Sequence, residues 1–343
     1  MATMDVFSGS AFSAISLTGA INQQPFLPSL LGDLNLFTDR PIRTRAAYIE
    51  NLAGTLSLVP TSPIGAPLAE DVTDKRTVQY IPTLRIAKGT TIYAEEVQGV
   101  RAFGSETELQ QIANLVAERS AKISRDIQYT WENMRLGAVQ GIVYDSNGTT
   151  VLQNWYTIWG VVQPAEVDWD LDNATPVGGA IYQKCNDAIR AAMRAVSGMW
   201  IPGRSYLIGL CGDNFYDNLT QAPEVRATYL SSSQAQDLRN DVGGPFSSFR
   251  YGGIVFMNYR GTDTAGLGIN TDKIALFPVG VPGLFEVAWG PGETFDFVNT
   301  PGKPLYLIPV KDTARNAWQR IEAYSYPLFF CTKPLALLRG KRT

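Results

Sequence analysis

"SETELQQIANLVAERSAKISRDIQYTWENMRLGAVQGIVYDSNGTT", Ser105–Thr150, changes character once. Leu109, Ile112, Val116, Ile123, Ile127, Trp131, Met134 and Ala138 recur at steps of three or four residues, or their sum, which draws one apolar stripe along a helix. Glu118, Arg119, Lys122, Arg125, Asp126 and Arg135 mostly fall off that stripe. Ser105 and Glu108 form a capping box, and Glu106 and Glu108 suit the positive end of the helix dipole. No proline interrupts the pattern, and Gly137 and Gly141 stand where it should end. A helix over 105–138 is a rod of roughly 45–50 Å, about three times the usual globular length. Asn147-Gly148 between alternating apolar runs then predicts a hairpin over 141–161, with Trp155 and Trp159 in strand. Asn147-Gly148-Thr149 also fits a glycosylation sequon, but no secretion signal accompanies it, so the turn reading is preferred.

The segments before this stretch do not build a core of their own. "FLPSLLGDLNLF" (Phe26–Phe37) is apolar but broken by Pro28 and Gly32, and reads as an extended arm whose apolar residues need covering. "PIRTRAAYIENLAGTLSLV" (Pro41–Val59) alternates and predicts a strand entering a hairpin. Pro60–Lys88 is rich in proline and carries Glu70-Asp71 and Asp74-Lys75-Arg76. It reads as a long two-stranded excursion, which must lie on something else.

After a linker over Pro164–Pro176 the composition alternates between helix and strand. Ala180–Gly198 is amphipathic, Ser205–Gly212 is a buried strand, and a short helix before Pro223 precedes further strands to about residue 300. This predicts a second lobe over 177–300. The remainder is strand-rich.

The totals restrict the chemistry. The 343 residues suit one large domain or two ordinary ones, and 45% hydrophobic content suits real cores. With 29 basic and 32 acidic residues the net charge is −3, against a protein built to grip nucleic acid. The basic tail Arg339–Thr343 reads as a solvated end. Three scattered cysteines, Cys185, Cys211 and Cys331, read as buried thiols in a reducing compartment. No apolar run approaches the span of a bilayer, and no Lys or Arg precedes Arg40, so synthesis in the cytosol is expected. The absence of histidine removes Ser-His-Asp, Cys-His and His-zinc arrangements.

What remains for catalysis is weak. Asp168–Asn173, "DWDLDN", opens like a calcium loop but has Asn173 and Gly179 where Gly and Glu are required. "VGVPGLFEVAWGPGETF" matches no phosphate-binding motif and reads as turns between strands. Glu95-Glu96 or Glu293-Asp296 could serve as a carboxylate pair, but any chain with 32 acids offers such pairs. No catalytic residue, metal site or cofactor is expected.

Three stretches carry a resemblance. "IPTLRIAKGTTIYAEEVQGVRAFGSETE", "WENMRLGAVQGIVYDSNGTTV" and "FVNTPGKPLYLIPVKDTARNAWQRIEAYSYPLFFCTKPLAL" resemble the lead-in, helix end and C-terminal signature of the major capsid protein E family of lambda-like tailed phages. Asn299-Thr300, Gly302, Leu305-Tyr306 and Ser325-x-Pro327-Leu328 belong to that signature; Asn133 departs, since many relatives have histidine there. The resemblance implies an α+β Hong Kong 97-type capsid fold. Its parts would be an N-terminal arm and first strand (1–48), an E-loop hairpin (49–104), and a P domain (105–176) on the spine helix. An A domain (177–300) would follow, then a return to the P-domain sheet (301–343).

The implied function is a non-enzymatic major capsid protein. It would form hexamers and pentamers in an icosahedral shell, with scaffolding protein, portal and a decoration protein as partners. It would enclose double-stranded DNA without reading its sequence and have no membrane role. It would reside in the virion, and in host cytoplasm during assembly. Residues expected at subunit contacts are Phe26, Leu30, Leu31, Arg43, Arg45, Glu70, Asp71, Lys75, Arg76, Glu95, Glu96 and Arg101. Leu109, Ile112, Val116, Ile123, Ile127, Trp131 and Met134 are expected to pack the spine helix. Two alternatives stay open from sequence: an encapsulin-like nanocompartment shell and a carboxylate-dependent glycosidase.

Overall fold

The computed structural model describes residues 30–52, 76–98, 108–173, 175–230, 248–259, 268–315 and 317–343. Its helices are α1 (Leu30–Asp33), α2 (Ala94–Gln98), α3 (Glu108–Gln140), α4 (Trp155–Trp159), α5 (Ala180–Ala195), α6 (Asp213–Gln221) and α7 (Pro223–Leu230). The strands up to the second lobe are β1 (Thr38–Pro41), β2 (Ala46–Leu52), β3 (Arg76–Pro82), β4 (Ile86–Tyr93), β5 (Ile142–Tyr144) and β6 (Val151–Asn154). They continue as β7 (Val167–Asp168), β8 (Tyr206–Cys211), β9 (Ser248–Tyr251), β10 (Ile254–Asn258) and β11 (Lys273–Val279). The last are β12 (Phe285–Trp289), β13 (Tyr306–Lys311), β14 (Trp318–Ser325), β15 (Pro327–Cys331) and β16 (Leu338–Lys341).

The rod is α3, and its 33 residues make it roughly 50 Å long. Its apolar stripe packs on two three-stranded sheets, ordered β13-β14-β4 and β1-β12-β15. Val116, Ile123, Ile127, Trp131, Met134 and Ala138 meet Ile92, Leu307, Ile321, Val287 and Phe329 there. Trp131 stands edge-on to Trp289 at 5.1 Å. Its indole N–H donates to Ser325 Oγ at 3.1 Å, so the ring's polar atom is satisfied inside the core.

A second packing centre surrounds the six-stranded sheet β7-β16-β11-β8-β10-β9. β8 lies in its interior, parallel to β10 and antiparallel to β11. It needs a continuous apolar run because both of its faces are covered. One face packs on α5 and α6 through Ile181, Cys185, Phe215 and Leu219. The other face, through Ile208, Leu210 and Phe277, meets Leu136 and Val139 at the end of α3, together with Leu31. The last turns of the rod are therefore clasped between both centres.

Several expectations need correction. The helix runs past Gly137 to Gln140. It stops at Gly141, whose φ of +87° only glycine adopts without strain. Gly137 serves close packing instead: a Cβ there would lie 2.8 Å from the Val143 Cα. The hairpin ends at Asn154, and Trp155–Trp159 is a helix rather than strand, because Asn154 Oδ1 accepts from the Tyr156 and Thr157 N–H groups. The hairpin forms a two-stranded sheet of its own and does not join the sheets under the rod. Pro223 opens α7 as well as ending α6, since a first helical position needs no N–H.

The ends of the second lobe also move. β12 falls within 177–300, yet it pairs with β1 and β15 and sends Val287 and Trp289 into the first core. β16 falls within 301–343, yet it pairs with β11 and β7 in the six-stranded sheet. Local alternation shows that a segment is a strand, but the edge it joins is set by register and by the face left uncovered.

Candidate assembly surfaces

β2 and β3 form an antiparallel two-stranded ribbon in which Tyr48 lies opposite Tyr80 and Ala47 opposite Ile81. Period-two alternation divides it. Ala47, Ile49 and Ile81 enter the core beneath. Tyr48, Val78 and Tyr80 face outward, 60%, 59% and 63% exposed. The two tyrosine rings stand edge-on at 5.5 Å. This pairing orders a patch that nothing in the described chain covers, and burying each such side chain is worth about 1.5–3 kcal/mol.

The expected contact residues divide. Arg43 and Arg45 are exposed beside the ribbon, and Glu95 is exposed on α2. Leu30 is half-buried, and Leu31 is 1% exposed within the subunit's own core, so Leu31 is not available to a neighbour. Glu96 pairs with Arg119 of the rod in the same chain. Arg76 lies in β3, and its side chain is outside the described residues. Phe26, Glu70, Asp71, Lys75 and Arg101 also lie outside them. Among the rod residues, Val116, Ile123, Ile127, Trp131 and Met134 are buried against the sheets. Leu109 and Ile112 lie on α3, with side chains outside the described residues.

Of the carboxylates considered for catalysis, Glu96 and Glu293 are held in ion pairs within the subunit. Arg85 Nε donates to Glu293 Oε1 at 2.6 Å and Arg85 Nη2 to Oε2 at 3.3 Å. That hydrogen-bonded fork holds the Glu293 carboxyl below its ordinary value, the wrong direction for a general acid. Asp168 Oδ1 accepts from the Asp170 N–H, and Asp170 Oδ2 from Asn173, so the acidic segment closes as a turn around buried Trp169.

Sequence reasoning missed a buried polar cluster on α3. Glu132 and Arg135, 4% and 8% exposed, form an ion pair at 3.4 Å. Arg135 also lies over the Phe329 ring at 5.3 Å. Burial lowers the Arg135 pKa, opposed by the Glu132 charge. Burial, then Glu132, raises that of Tyr259. The cluster borders a cleft of about 560 Å³ between the rod and the chain from Leu31 to Asp39. In sequence it shows only as a Glu–Arg pair three residues apart, a spacing common on solvated helix faces, so nothing there marks it as buried.

Comparison with known proteins agrees with the architecture. Residues 13–342 match the phage major capsid protein E family. The major capsid protein of Salmonella phage Felix O1 is 27% identical, with 96% of each chain covered. A prophage protein of E. coli CFT073 described as a capsid protein superposes with a TM-score of 0.58 at 13% identity, covering 96% of this chain and 99% of that one. The capsid of Cyanophage A-1(L) gives 0.51 at 12% identity, with 93% and 94% covered. The capsid of Myoviridae phage XM1 gives 0.50 at 11% identity, also with 93% and 94% covered. At such identities the solved structures establish the fold alone, which is the α+β Hong Kong 97-type capsid fold. The match over nearly the whole sequence settles the rest: the chain belongs to the phage major capsid protein E family.

Proposed function

We propose that this major capsid protein closes, as hexamers and pentamers, into the icosahedral head of a tailed double-stranded DNA phage. The observation that carries the reading is the outward tyrosine face of the β2–β3 ribbon, an ordered apolar patch with no cover in its own subunit. The ribbon is the base of the E-loop, and its outward face packs against a neighbouring subunit. The rod with its two sheets is the P domain, and the six-stranded sheet with α5 and α6 is the A domain. Scaffolding protein and portal join it during assembly in the host cytoplasm. The net charge of −3 suits a wall that encloses DNA without gripping it. The subunit works by packing and repetition rather than by catalysis.

Electron microscopy of the expressed protein tests this, with Tyr48→Ser/Tyr80→Ser as the variant. The wild type should form closed particles, and the double variant should remain as free subunits or small oligomers with an unchanged thermal midpoint. A wild type that stays monomeric at every concentration refutes the reading.

A further inference from the structure

Glu132 sits where three separate parts of the chain meet. Its Oε1 accepts the Leu31 N–H at 2.9 Å, which ties down α1, the first element of the described arm. The Tyr259 hydroxyl, just beyond β10, donates to the same oxygen at 3.5 Å. Oε2 pairs with Arg135 one turn further along the rod at 3.4 Å. The Leu31 side chain is buried with Leu136, Phe277 and Phe285, so the backbone held by Glu132 is also anchored in the second packing centre. Arm, rod and six-stranded sheet therefore converge on one carboxylate.

Burial alone does not explain a charge there. A Leu or Met of similar volume would fill the space, and replacing buried ion pairs with apolar residues is often neutral or stabilising. What an apolar residue cannot do is accept a backbone N–H from one element and a hydroxyl from another in fixed directions. Buried polar groups that do so select one arrangement over its alternatives.

We propose that Glu132 is the positioning residue that sets where the arm leaves the subunit, coupling its exit to the seating of the rod against the six-stranded sheet. The assembly consequence rests on the shell reading above. The coupling itself is a property of the single subunit.

Hydrogen exchange on purified wild type, Glu132→Ala, Glu132→Gln and Tyr259→Phe tests it. In Glu132→Ala, exchange across Leu31–Phe37 should rise about tenfold or more, while Leu207–Cys211 in β8 stays within about twofold. Glu132→Gln keeps an oxygen acceptor and should stay near wild type at Leu31–Phe37. If Glu132→Ala does not fold, Tyr259→Phe carries the test, with a rise of about threefold across Leu31–Phe37 expected. No rise at Leu31–Phe37, or an equal rise at β8, overturns the proposal. Assembly gives the second readout: Glu132→Ala should yield particles of altered size or none, and Glu132→Gln normal ones. Raised exchange with normal particles removes the assembly role. A wild type that forms no particles refutes the shell reading instead, and the exchange result still judges the coupling.

Discussion

Gly137 and Gly141 occupy one helix end and do different work. Alanine is favoured over glycine in a helix interior by about 1 kcal/mol. At position 137 that gain is outweighed, because the new Cβ would meet the Val143 backbone at 2.8 Å and push the hairpin off the rod. We expect Gly137→Ala to destabilise by about 1–3 kcal/mol in urea unfolding. Gly141→Ala should cost at least as much, since it combines a φ of +87° with a clash against the Tyr156 ring. A charge pair gives a second residue-scale prediction. Arg85 holds Glu293 below its ordinary 4.5, so folding releases protons in acid. The stabilisation is fully present above 4.5 and is lost as pH falls through the lower folded value. The side chains are 52% and 35% exposed, so the effect is at most about 1 kcal/mol. Arg85→Met should lower the urea midpoint at about pH 7, with the gap to wild type narrowing as pH falls below 4.5. The buried Glu132–Arg135 pair was not legible in sequence. A charge off an apolar stripe reads as solvated until a third element arrives to cover it.

The long rod was the most legible element, because a 3.6-residue period sustained over about eight turns fits neither a strand nor a loop. Its neighbour was not. Trp155–Trp159 is aromatic and β-branched, the composition of a strand, and it follows a true hairpin. The deciding feature is the Asn154 side chain, which accepts from Tyr156 and Thr157 N–H at 3.0 and 3.3 Å. Asn154→Ala should cost about 1 kcal/mol, and Asn154→Asp should restore most of it, measured as shifts in the denaturation midpoint. The ribbon was legible as two alternating strands. Which of its faces would lack cover became clear only when the core beneath it was in place.

For the whole molecule, the partners of distant strands are what the sequence hides. The sequence predicts a second lobe over 177–300 and a return to the first sheet over 301–343, but β12 and β16 each join the sheet of the other region, and no local pattern names a partner far along the chain. β16 lies between β7 and β11, so it is an interior strand of the six-stranded sheet. A chain shortened after Leu337 should therefore lose the cooperative unfolding of that sheet, read as loss of protection across β8 and β11 in hydrogen exchange. The same exchange across Ile123–Met134 of the rod should change far less.

The interior place of β16 also imposes a timetable. The ribosome delivers β7, β8 and β11 long before Lys341, and until that residue is made, β7 and β11 have no strand between them. During that interval the nascent subunit carries raw edges able to pair with other chains. A head built from many copies translated side by side thus depends on when each copy closes as well as on how it folds.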